Sequence, residues 1–209
     1  VRAFESLQGR AFRDFFGEGE VVAKNQLIEI RWHGRGGQGA VTSAELVAQA
    51  AISEGKFAQA FPSFGPERRG APVLAFVRIN SQEPIRIRAE ITDPDVVVVL
   101  DPGLLTIVNV AAGLKEGGLV IINTKKSFAE IEKNLKFKGK LATVDATRIA
   151  RETLGVPITN TTMVGALLRA TDVVKPESVV EPLNKRFGRL AERNVNAMKR
   201  AYKETKLKE

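Results

Sequence analysis

The sequence predicts an α/β fold: a single three-layer domain on a mixed, mostly parallel sheet, with helical extensions at its N and C termini. Three observations carry this. A strand-like LIEIRW runs straight into HGRGGQG and then into AVTSAELVAQAAISE, whose apolar residues fall at helical spacing. DVVVVLD, at 95–101, is continuously apolar, as expected of a strand buried on both faces. Between them, 73–79 and 85–88 alternate around SQEP, which predicts a hairpin and hence antiparallel pairing within the sheet.

Taken in order, residues 3–16 place Phe4, Leu7, Ala11, Phe12 and Phe15 on one helical face before a GEGE turn. The first strand is expected at 27–32. The first helix starts near Ala40, turns Ala40, Ala44, Val47, Ala48 and Ala51 inward, and stops at Gly55. A short strand at 57–60 precedes FPSFGPERRGAP, too rich in Pro and Gly to be regular. After DVVVVLD the pattern gives a helix at 104–114, a strand at 119–122, an irregular or helical 127–137 and a strand at 141–144. Helices follow at 146–154, 161–170 and from 179 onward, with 157–160 as the entry to the middle one. The chain divides into an N-terminal helical extension (1–26), the α/β domain (27–190) and a basic C-terminal helix (191–209).

Composition narrows the chemistry. With 209 residues, 44% hydrophobic and 27% charged, the chain is long enough for one substantial core. No apolar run approaches the roughly 20 residues that span a bilayer, and residues 1–26 lack a signal-peptide pattern, so a cytoplasmic protein without membrane partners is expected. The chain has no cysteine, which excludes disulfides, cysteine nucleophiles and thiolate-held clusters of its own. The only histidine, His33, ends the strand that feeds the glycine loop, where it can touch a ligand or be bonded locally beside the turn. The net charge is +8, and residues 185–209 supply nine Lys or Arg against three Glu. Phe187, Leu190, Ala191, Met198, Ala201 and Tyr202 fall at helical spacing within that tail, which predicts an amphipathic helix docked on its own domain rather than a nucleic-acid reader.

The glycine loop is the candidate site. Gly34, Gly36 and Gly39 satisfy G-x-G-x-x-G between a strand and a helix, and Gly37 adds a position free to take positive φ. Such a loop lets amide N–H groups converge on an anion at the helix N-terminus. It also suits a partner's backbone or, less well, plain close packing of strand and helix. A dinucleotide site of the usual kind needs an acid about 20 positions on to hold the ribose hydroxyls. Here that stretch reads GKFAQAFPSFG, and the next acid, Glu67, lies beside Arg68 and Arg69 in an irregular loop. Ordinary NAD binding is therefore not expected.

IRWHGRGGQGAVTSAELVAQAA followed by GKFAQAFPSFGPERRGAPVLAFVRIN resembles the gamma subunit of 2-oxoacid:ferredoxin oxidoreductases, particularly the pyruvate enzyme. The likeness is densest over 28–80 and extends to about 190, leaving 1–26 outside it. It implies a heteromeric enzyme that converts a 2-oxoacid, coenzyme A and oxidised ferredoxin to acyl-coenzyme A, carbon dioxide and reduced ferredoxin. It also implies alpha, beta and delta partner subunits that carry thiamine diphosphate and iron–sulfur clusters, so this chain would contribute no catalytic residue and no metal ligand. On the same resemblance Gly34, Arg35, Gly36, Gly37, Gln38 and Gly39 form a donor cradle for coenzyme A or an interface loop. Arg68 and Arg69 pair with its phosphates or with a carboxylate of a neighbouring subunit. Asn160, Thr161 and Thr162 are expected to cap a helix facing the same crevice. Two other readings stand beside this one: a stand-alone nucleotide-binding α/β protein, and a nucleic-acid-binding protein using the basic tail.

Overall fold

A computed structural model describes residues 27–63, 70–134 and 139–208. The expected N-terminal helix, residues 64–69 and the end of the 127–137 segment lie outside the described residues. Seven strands form one sheet in the order β2-β3-β1-β4-β5-β6-β7. They are β1 (Leu27–Arg35), β2 (Phe57–Pro62), β3 (Pro72–Asn80), β4 (Val96–Val99), β5 (Leu119–Asn123), β6 (Lys140–Val144) and β7 (Lys206–Leu207). Four of the seven, β1, β4, β5 and β6, run parallel, and β2, β3 and β7 pair antiparallel at the two sides.

The helices are α1 (Ala40–Ser53), α2 (Phe128–Asn134), α3 (Ala146–Leu154), α4 (Asn160–Ala170), α5 (Val180–Phe187) and α6 (Ala191–Glu204). Alternation along the strands divides the core. Ile30, Trp32, Val96, Val98 and Ile121 pack beneath α1, α3, α4 and α6. Val97, Val99, Val120 and Ile122 pack beneath Leu104, Val110 and Ile131 on the opposite face. The result is three layers, as the apolar run of β4 implied. α4 and α6 approach so closely that a Cβ on Gly165 would lie 2.2 Å from the Met198 carbonyl oxygen. The basic tail docks on the domain: Met198, Ala201 and Tyr202 of α6 belong to the main core, and β7 extends the sheet.

Three expectations need correction. Ile85–Arg88 does not form the second arm of a hairpin: residues 81–95 are irregular, and β3 pairs instead with β1 and β2. The alternation of 85–88 therefore reports no strand, and both of its charges, Arg86 and Arg88, are exposed. The expected helix at 104–114 is a 3₁₀ turn over Pro102–Thr106 followed by turns, where the Val110 and Ala112 carbonyls accept from the Arg31 side chain. The helix from 179 onward is broken in two, because Gly188 at φ 49° ends α5 before α6 begins. Outside these segments, β1 extends three residues past its expected end, and β7 was not foreseen.

Candidate functional site

β1 carries its charges on one face: Glu29, Arg31, His33 and Arg35 alternate with Ile28, Ile30, Trp32 and Gly34. This polar row separates two apolar patches on the sheet, Phe61–Phe76–Ile91 on one side and the β4–β6 valines and isoleucines on the other. Arg31 is buried, and its guanidinium donates to the carbonyls of Ile91 (3.3 Å), Thr92 (3.2 Å), Val110 (3.1 Å) and Ala112 (2.5 Å). It thus satisfies carbonyls of two irregular segments that no ladder reaches. Its Nε donates to His33 Nε2 at 3.1 Å. That bond requires Nε2 to be unprotonated. Burial, and then the adjacent Arg31 charge, push the His33 pKa down to about 3, so the imidazole is neutral at physiological pH. Glu29 closes the lower end of the row, pairing with Arg78 (2.9 Å) and Lys115 (3.4 Å).

At the upper end lie the strands' C-termini and the connections that leave them. α1 follows β1 on one face of the sheet, while the connection after β4 passes over the other, so the loops of these adjacent strands diverge. Such a switch point is where open α/β sheets receive ligands. Gly34 is a strand residue paired with Val73, and its missing Cβ lets Ala40 approach. Gly37 and Gly39 take φ of 92° and 82°. The loop is clamped by one carboxylate: Asp101 Oδ2 accepts from Arg35 Nε (3.0 Å) and Gln38 Nε2 (2.9 Å), while its Oδ1 accepts from the Gly103 amide (2.8 Å). Gln38 Oε1 in turn accepts from the Arg35 amide at 2.8 Å.

Two amides of the expected cradle are spent within the protein. Gly36 N–H donates to Ala71 O and Gln38 N–H to Arg35 O, each at 3.0 Å. The α1 N-terminus is different: its cap is Gly39, no side chain caps it, and its first turn holds no acid. Asn160, first residue of α4, presses on Gly39, where an added Cβ would sit 2.9 Å from the Asn160 Cβ. Ser43 Oγ bridges the same contact, 3.0 Å from Gly39 O and 3.2 Å from Asn160 O.

The structure therefore gathers residues 34–39 in one hydrogen-bonded loop at the strand ends and packs Asn160 against it. Thr161 and Thr162 are buried and bonded inward, to Asn194 Oδ1 and Thr159 O. Arg68 and Arg69 lie outside the described residues, but Gly70 beside them accepts from Arg35 Nη1 (3.2 Å) and donates to Gly36 O (3.3 Å). Asp101, absent from the sequence-based site, is its organising residue. The available signal was an acid ending a buried parallel strand directly before Pro-Gly. Asn123, at the end of β5, was also missed; its Nδ2 donates to Leu100 O and Thr147 Oγ1.

The sequence pattern of the family described as pyruvate ferredoxin/flavodoxin oxidoreductase matches residues 29–204, which takes in the entire glycine loop and both β-layer faces. The chain belongs to that family. Within it, the chain is of the gamma type. It is 60% identical over 181 residues to the pyruvate/ketoisovalerate oxidoreductases common subunit gamma of Thermococcus kodakarensis, covering 86% of this chain and 97% of that one. It is 50% identical to the pyruvate synthase subunit PorC of Methanothermobacter marburgensis, over 86% and 98% of the two chains. The crystal structure of pyruvate oxidoreductase subunit PORC from Thermotoga maritima superposes with a TM-score of 0.80 at 41% identity, over 88% of this chain and 100% of that one. Family membership makes the chain part of an oxoacid oxidoreductase, and among its described residues no helix is long and apolar enough to cross a membrane.

Proposed function

We propose that this chain is a non-catalytic gamma subunit of a cytoplasmic 2-oxoacid:ferredoxin oxidoreductase, with pyruvate as the oxoacid, and that its glycine loop walls the coenzyme A site. The assembly oxidatively decarboxylates the 2-oxoacid with coenzyme A to acyl-coenzyme A and carbon dioxide and passes the electrons to ferredoxin. Alpha, beta and delta subunits supply thiamine diphosphate and the iron–sulfur clusters. The residue inventory supports this division: the chain has no cysteine, and its one histidine is buried and neutral against Arg31. The name of the Thermococcus relative, common to pyruvate and ketoisovalerate enzymes, also fits a gamma chain that does not itself select the oxoacid.

The observation that carries the coenzyme A reading is the uncapped N-terminus of α1 beside Arg35 at the β1/β4 switch point. A phosphate there meets the first-turn amides of a 14-residue helix and a guanidinium already oriented by Asp101. Gly37 leaves open space beside the loop, Gln38 holds the loop in shape, and Arg68 and Arg69 precede Gly70 in sequence as further cations for the phosphates. In the reconstituted complex, Arg35→Gln should raise the KM for coenzyme A about tenfold and leave the KM for the oxoacid unchanged, as expected for one lost charge-assisted contact. An unchanged KM for coenzyme A in a fully assembled variant would remove the loop from the site.

A further inference from the structure

A second concavity opens at the same edge of the sheet, over the ends of β5 and β6, and nothing in the oxidoreductase reading uses it. Its volume is ≈ 510 Å³, within the range of about 300–1,000 Å³ common for small-molecule sites. Lys125 and Lys126, from the loop after β5, line it together with Lys203 and Lys206, from the end of α6 and from β7. None of the four lysines forms an ion pair with another described residue. The pocket's two acids are already engaged. Asp145 Oδ1 caps α3 by accepting from the Arg148 amide at 3.0 Å, and Glu204 is bonded by Arg148 and by Arg200.

The four lysines are exposed, and together they give the concavity a positive potential. The pocket shares no lining residue with the glycine loop. Strand spacing sets their centres about 10 Å apart, and Asn123 fills the gap by tying Leu100 O to Thr147.

We propose that this lysine pocket binds a phosphate-bearing small molecule, held by Lys125, Lys126, Lys203 and Lys206 independently of the glycine loop. Lysine ammonium groups serve as point charges for phosphate, and the cavity has the volume of a small ligand rather than of a protein segment. The full-length chain is titrated calorimetrically with inorganic pyrophosphate at constant ionic strength, and then with ADP. A saturable site that persists in Arg35→Gln is expected. Lys125→Gln combined with Lys206→Gln should weaken it at least about tenfold, whereas Lys199→Gln, on an exposed turn of α6, and Arg35→Gln should not. Tighter binding of ADP would identify a nucleotide ligand, and equal binding a phosphate recognised alone; both support the pocket. Because the substituted lysines are exposed, the double variant should keep the parent unfolding midpoint. Absence of saturable binding, equal weakening by Lys199→Gln, or loss on Arg35→Gln alone would overturn the assignment. So would a double variant that binds pyrophosphate normally but fails to retain partner subunits, which would make the surface a protein contact.

Discussion

Gly39→Ala tests how the candidate loop is built. At φ 82° an alanine is strained by about 1–2 kcal/mol. Its Cβ would also stand 2.9 Å from both Cβ and Nδ2 of Asn160, closer than real side chains come, and relief requires α1 and α4 to separate. Overpacking of this kind costs about 1–3 kcal/mol, so the total is about 2–5 kcal/mol. Gly37→Ala provides the internal reference, because Gly37 has φ 92° but nothing within 4 Å of its added Cβ. It should cost only the strain, partly offset by the lower entropy of the unfolded chain, leaving about 1 kcal/mol. In urea, with a slope of about 2.5 kcal/mol/M, the midpoint of Gly39→Ala should fall by about 1–2 M and that of Gly37→Ala by less than about 0.5 M. Adding Asn160→Gly should return the steric part, seen as a coupling of about 1–3 kcal/mol in a double-variant cycle. Equal midpoints for the two alanine variants, with no coupling to residue 160, would refute the claim that Gly39 is the contact between α1 and α4.

Two further outcomes follow from buried features. His33 has a folded pKa of about 3 against about 6.5 when unfolded, so the unfolded chain takes up the proton first as pH falls. Its contribution is complete above pH 6.5 and is lost at up to about 1.4 kcal/mol per pH unit toward pH 3. Unfolding of His33→Gln across pH 4–7 should show a flatter slope than the parent, and an identical slope would show that His33 is not the titrating group. Gly165→Ala should destabilise more than Gly37→Ala, because its Cβ meets the Met198 carbonyl oxygen at 2.2 Å and backbone cannot swing aside as a side chain can. Matching thermal midpoints for those two variants would contradict the close approach of α4 and α6.

Much of the architecture was legible because single residues or runs carried it. DVVVVLD could only be buried on both faces, and Gly37 and Gly39 between strand and helix required a turn with positive φ. The gamma-type family was legible for a different reason: two motifs at fixed separation, the glycine loop and E-R-R-G-A-P, are far more specific than either alone. Local pattern failed at 85–88 and 104–114, where the backbone is held by partners distant in sequence. Arg31 bonds to Ile91, Thr92, Val110 and Ala112 across 60 to 81 residues, and no window of neighbouring side chains encodes such a bond.

The sequence by itself determined the layer architecture, the absence of thiolate chemistry and the position of the glycine loop, because apolar periodicity, residue inventory and backbone permissiveness are local properties. Only the tertiary structure decided what stands at that loop. Asp101 lies 66 residues from Arg35, and Asn160 lies over 100 residues from Gly39, yet one clamps the loop and the other packs against it. The parallel order of β1, β4, β5 and β6 sets those strand ends side by side, and the antiparallel pairing of β7 with β6 brings Lys206, with Lys203 just before it, to the cavity that Lys125 and Lys126 line. Parallel pairing brings the same end of every strand to one edge, so residues remote in the chain become neighbours there.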